Sequence, residues 1–114
     1  MSLQIRETPE KVIVTLTDTR IVDQGHADQI GQSLRDICRQ ADLGGKRVLV
    51  NLHRVQFMNS AMISILVGLH KFAKVNSLDV RFATSGDVLD VLRITRLTEI
   101  FPLDNDDPDL ANDR

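Results

Sequence analysis

The residues best placed for chemistry are Asn59-Ser60, where the apolar stretch Val48-Leu-Val-Asn-Leu52 has passed through a short turn and a second apolar stretch begins. The pattern reads as a strand, a turn and a helix opening at Ser60. A hydroxyl at a helix mouth meets unpaired backbone N–H groups and the positive end of the helix dipole, which together favour an anion. Two readings follow. In the first, Asn59 is a plain N-cap and Ser60 merely occupies the first turn. In the second, Ser60 is a modification site. A phosphate there gains about 0.3–2 kcal/mol from the helix terminus, and its charge repels a partner docked over it. Such a residue is an on/off switch for binding.

A catalytic role for Ser60 has less support. No G-x-S-x-G elbow surrounds it, and a triad needs a neighbouring base with its own orienting acid. His53 and His70 read as surface or packing histidines, and the chain reads as non-enzymatic. Met58, Met62, Ile63 and Leu66 make the start of the helix unusually apolar. Ile63 and Leu66 are expected in the core. Met62 stays open to two readings, a core residue or an exposed, adaptable partner contact.

The other candidate constellations are weaker. Asp104-Asn-Asp-Asp-Pro-Asp109 is acidic enough to suggest calcium, but it lacks the glycine and glutamate positions of an EF-hand loop. Gly44-Gly45-Lys46 lacks the spacing of a phosphate loop and precedes a strand. His26, His53 and His70 have no ligand-like spacing, so no metal and no cofactor is expected.

At 114 residues the chain suits one domain with one core. Apolar content is 42% and charged content 26%, ordinary for a folded soluble protein. A formal charge of −2 with no basic stripe argues against nucleic acid as a partner. Cys38 stands alone, which excludes an internal disulfide and fits a reducing, cytoplasmic setting. The first residues lack the apolar core of a signal peptide, and no apolar run reaches the roughly 20 residues of a membrane span.

The elements that must position Ser60 follow from periodicity. Leu3–Arg6 and Lys11–Thr17 read as a hairpin of strands, with β-branched residues alternating in the second. Asp18-Thr-Arg20 is a turn. Ala27, Ile30, Leu34, Ile37, Cys38 and Ala41 fall at helical spacing, predicting a helix over 23–41 that Gly44-Gly45 stops. Val48–Leu52 is apolar on both faces, as a central strand should be. The Ser60 helix runs over 61–73. Leu78, Val80 and Phe82 alternate as a strand, and Ser85 can cap a third helix carrying Val88, Val91, Leu92 and Thr95. Ile100–Leu103 reads as a short edge strand, where Pro102 is tolerable. The order β-β-α-β-α-β-α-β implies a largely parallel α/β sheet with packed helices. A domain over 1–103 is expected, followed by an acidic, frayed tail over 104–114.

Val48-Leu-Val-Asn-Leu-His-Arg-Val-Gln-Phe-Met-Asn-Ser-Ala-Met-Ile-Ser-Ile-Leu66 resembles the signature of STAS domains of the anti-sigma factor antagonist type: an apolar strand, a turn, an apolar pair, then Asp-Ser and an apolar helix. The resemblance runs from about Val12 to Phe101. Val88–Phe101 resembles the family's third helix and final strand, and Asp109-Leu-Ala111 the start of its C-terminal helix. It implies a four- to five-stranded mixed sheet with helices mainly on one face. It also implies that Ser60 matches the serine phosphorylated by a partner kinase that is itself the anti-sigma factor. The unphosphorylated antagonist captures that kinase and frees sigma; phosphorylation weakens the capture, and a PP2C-type phosphatase resets it. Asn59, Ala61 and Met62 are then the partner-binding residues beside Ser60.

Four positions depart from the family pattern. Asn59 and Asn51 stand where aspartates are usual, Met62 where glycine is common, and Arg96 where glycine is frequent. Without the carboxylate of position 59, a phosphate on Ser60 would meet less like-charge repulsion. A rival reading, which the asparagines favour, is a STAS-like scaffold subunit of a sensory or lipid-transport complex that is never phosphorylated. A small enzyme on an open α/β sheet is a third reading, with little in the sequence to support it.

Overall fold

A computed structural model describes residues 3–112. Strands β1 (Leu3–Glu7) and β2 (Lys11–Leu16) form the expected hairpin, β4 (Arg47–Asn51) lies parallel to β2, and β6 (Val80–Ala83) lies parallel to β4. The order β1-β2-β4-β6 makes β4 a central strand, which explains why it is apolar on both faces. A second sheet is a two-residue parallel ribbon of β3 (Arg20–Ile21) and β5 (Phe57–Met58). Of the turn expected over residues 18–20, Asp18 and Thr19 stay outside any strand, while Arg20 opens β3. Strands of two residues carry no periodicity, and this pair joins segments far apart in the chain.

Helices α1 (Gln24–Leu43), α2 (Ser60–Val75) and α3 (Gly86–Ile94) match the three expected helices, with ends shifted by a few residues. Their buried faces meet one side of the sheet. Val12, Val14 and Leu16, Val48 and Val50, and Val80 and Phe82 point into a core with Ile30, Leu34, Met62, Leu66, Leu69, Val88 and Leu92. Removing that much apolar surface from water at about 25 cal/mol per Å² is what holds the layers together. Gly31 sets the approach of α1 to α2: a Cβ there would lie 2.6 Å from Ile65 Cγ2. Gly45, at φ +70°, supplies the left-handed residue that ends α1.

The alternate strand residues Ile13, Leu49 and Ala83 face the other way and are covered by Leu110, which is 1% exposed. Over its described residues, 104–112, the acidic segment is therefore packed against the sheet rather than frayed, and positions 113 and 114 of the expected tail lie outside the described residues. The segment crosses the sheet and ends in a 3-10 turn over Pro108–Asn112. Lys11 is buried at the start of β2 and needs a counter-charge; Asp107 supplies it at 2.6 Å and Asp109 at 2.8 Å. The acidic composition concealed one apolar anchor and two carboxylates that pair with a buried lysine. The expected edge strand over 100–103 also shrinks, to a single bridge between Leu103 and Phe82, with the Phe82 N–H donating to the Pro102 carbonyl at 2.9 Å. Leu97–Glu99 forms a 3-10 turn just ahead of it.

Candidate functional site

The mouth of α2 is built by the small ribbon. β3 ends at Ile21 and β5 at Met58, and the next residue, Asn59, extends their pairing by donating its N–H to the Ile21 carbonyl at 2.9 Å. Asn59 then stops being strand and becomes cap. Its backbone is extended (φ −77°, ψ 173°), its Oδ1 accepts the Met62 N–H at 3.0 Å, and its carbonyl accepts the Ile63 N–H at 3.2 Å. Its Nδ2 donates to the Val22 carbonyl at 2.9 Å. All the main hydrogen-bonding groups of Asn59 are thus in use.

Ser60 is the first residue of α2 and is exposed. Since Asn59 does the capping, the Ser60 hydroxyl takes no part in it. Ser60 and Ala61 are the first-turn residues whose N–H groups have no partner within the helix. A hydroxyl open to solvent beside two such donors can accept a phosphoryl group and stabilise the product. Ala61 is half-buried beside it.

Met62 does not belong to this surface. It is 0% exposed and sits in the main core with Leu66. At the third helical position its side chain turns under the cap, and Leu66 follows one turn later on the same buried stripe. The expectation that Met62 contacts a partner is corrected accordingly: it is the floor of the site.

The two asparagines that replace aspartates each use a donor that aspartate lacks. Asn51 is fully buried, donates Nδ2 to Thr15 Oγ1 at 3.3 Å and accepts the His53 N–H on Oδ1 at 3.0 Å. A carboxylate buried there would carry an uncompensated charge. Arg96 adopts φ +61°, ψ 18°. That left-handed conformation favours glycine and accounts for the glycine frequent at this position in the resemblance.

A second serine stands at a second helix mouth. Ser85 is the N-cap of α3 but makes no side-chain cap bond; its Oγ lies 2.9 Å from His53 Nδ1. The other histidines are elsewhere: His26 Nε2 meets Asp18 Oδ2, and His70 stands edge-on to Phe101 at 6.1 Å. None of the three is paired with Ser60.

Between the ribbon and α3 lies a groove of about 230 Å³, lined by Phe57, Met58, Ile63, Val88 and Val91, with the Arg20 guanidinium 4.8 Å above the Phe57 ring. The sequence reading missed it because Arg20 and Phe57 are neighbours only through the ribbon. Elsewhere, burial pushes the Cys38 thiol up to about 11, which makes it unreactive. Burial alone would raise the Asp107 carboxyl, but hydrogen bonds from Lys11 and the Asp109 N–H, with the charges of Lys11 and Arg47, hold it below the usual range. Lys11 is opposed by its own burial and is raised by the hydrogen bonds and charges of Asp107 and Asp109.

Among the described residues, no helix is long and apolar enough to cross a membrane. No curated protein matches the chain in sequence. Solved structures do match in fold. SpoIIAA from Bacillus in its phosphorylated form superposes with a TM-score of 0.64 at 16% identity, covering 98% of this chain and 99% of that one. The anti-sigma factor antagonist SpoIIAA in its unphosphorylated form gives 0.66 at 16% identity, covering 98% and 96%. A protein of Thermotoga maritima described as an anti-sigma factor antagonist gives 0.70 at 16% identity, covering 97% and 92%. The family model for the STAS domain matches residues 2–109, from the first strand to the segment that closes the far face of the sheet. With its mixed four-stranded sheet, three helices and serine at the mouth of α2, the chain belongs to the STAS domain family.

Proposed function

We propose that this chain is an anti-sigma factor antagonist, a non-catalytic regulatory module of the cytoplasm. It captures a serine kinase that doubles as an anti-sigma factor, using the face around the N-terminal end of α2. Ser60 is the phospho-acceptor, and a PP2C-type phosphatase reverses the modification. The observation that supports this reading is the division of labour at the α2 mouth: Asn59 holds the cap bonds, which leaves the Ser60 hydroxyl exposed beside the Ser60 and Ala61 N–H groups.

Phosphorylation adds about 1.5–2 negative charges at neutral pH. The helix terminus stabilises that charge while the protein is free, but a partner pressed over it would have to desolvate it. Release follows. The scaffold reading drew on Asn51 and Asn59 in place of aspartates; both carboxamides serve as donors inside the fold, which accounts for them without reference to phosphorylation.

The test is capture of a candidate serine kinase of the anti-sigma type, measured by titration calorimetry. The unmodified protein should bind, and Ser60→Asp should lose about a hundredfold in affinity, close to 3 kcal/mol. Equal binding by both would remove the switch.

A further inference from the structure

We infer that Asn59 is a positioning residue whose carboxamide donor fixes the corner between β3 and α1 against the mouth of α2, a task an aspartate cannot perform. The inference rests on the proposed function for its partner but not for its geometry.

Three bonds carry it. The Asn59 N–H reaches the Ile21 carbonyl at 2.9 Å, Nδ2 reaches the Val22 carbonyl at 2.9 Å, and Oδ1 caps Met62 at 3.0 Å. Two of them tie successive carbonyls of one corner to one residue, and the third ties that residue to α2. Asp23, the next residue of the corner, is in turn the N-cap of α1, accepting the His26 N–H at 2.9 Å. The starts of α1 and α2 are thereby joined through two residues. Val22, 58% exposed, is held at this junction, one hydrogen bond from the residue that precedes Ser60.

Aspartate would keep the Met62 cap, since its carboxylate is an equally good acceptor. Against Val22, however, it would set oxygen against oxygen. The corner would keep the bond from the residue 59 N–H to the Ile21 carbonyl but lose the one at Val22, so Val22 would be held less firmly. A partner that reads Ser60 together with the Val22 corner therefore distinguishes asparagine from aspartate at position 59, even though both cap the helix. The carboxamide sets recognition of the face, while the hydroxyl of Ser60 sets what can be done to it.

The experiment compares Asn59→Asp and Asn59→Ser with the unsubstituted protein. Both variants keep a side-chain cap; aspartate has no donor for the Val22 carbonyl, and serine carries its single hydroxyl one bond short of the position of the Asn59 Nδ2. In the free protein, hydrogen exchange of the residue 59 amide and of the first-turn amides of α1 should quicken by about tenfold, the worth of one hydrogen bond, while the middle of α2 stays unchanged. With the kinase and ATP, both variants should raise KM by about tenfold with kcat nearly unaltered, because the nucleophile and its cap remain. Native-like exchange in both variants would overturn the clamp. A KM change confined to Asn59→Asp would overturn it too, by assigning the effect to charge. Should the unsubstituted protein neither bind the kinase nor be phosphorylated, the proposed function fails, and the exchange rates still decide the clamp.

Discussion

Two helix mouths in this molecule carry a serine, and they are arranged in opposite ways. At α2 the cap is Asn59 and the serine follows it, so the cap bonds form and the Ser60 hydroxyl is left over. At α3 the serine is itself the cap residue, yet its hydroxyl is occupied by His53 and the side-chain cap bond is missing. The first arrangement presents a hydroxyl and stabilises the helix; the second does neither. A serine at a helix start is thus not a site in itself. What matters is whether another residue has taken over the capping.

The comparison can be broken most severely from below. Met62→Ala removes a fully buried side chain under the α2 mouth and should cost about 2–5 kcal/mol in denaturant unfolding. A neutral result would return Met62 to the surface and undo the description of the site.

The far side of the sheet provides a control that touches neither mouth. Asp107→Asn removes the nearer of the two carboxylates paired with Lys11 and, with Asp109 left in place, should cost about 1.5–3 kcal/mol without altering kinase capture. The pH dependence has a definite sign. The Asp107 carboxyl is held below its ordinary value, so its contribution is present above about pH 4 and is lost as acid protonates it in the folded state. The Lys11 ammonium is raised, so its contribution is present below 10.5 and is lost as alkali takes the pH above that value. Unfolding curves of Asp107→Asn should be flatter than those of the unsubstituted protein at both extremes.

The smallest effects sharpen the comparison most. Asn59→Ala should cost about 1 kcal/mol through the lost cap, and Ser85→Ala only a few tenths, because no cap bond exists there to lose. Equal losses from thermal unfolding would mean that the two mouths are alike after all.

Much of this was legible in the residues. The alternation in β2, the two-faced apolar run of β4 and the helical spacing of Ala27, Ile30 and Leu34 gave the layers, because burial imposes those periods. Asn59-Ser60 could be read as cap and presented hydroxyl from residue type alone. Other features were out of reach for physical reasons. The β3–β5 ribbon is too short to have a period, so the Arg20–Phe57 contact and the Val22 corner stayed hidden. Met62 could have been either floor or surface, since three residues after a cap an apolar side chain can close the core or meet a partner. The acidic segment was misjudged by composition: Leu110 and the Lys11–Asp107 pair outweigh its solvated neighbours. Ser85 fits the cap rule by type, and only the structure reveals His53 beside it.

The decisive measurement is intact-mass analysis after incubation with ATP and a candidate serine kinase of the anti-sigma type, with Ser60→Ala and Ser85→Ala in parallel. One added phosphate on the unsubstituted protein and on Ser85→Ala, with none on Ser60→Ala, is the expected result. A phosphate that persists on Ser60→Ala, or a stable complex with no phosphate on any of the three, would contradict the assignment of Ser60 as the switch.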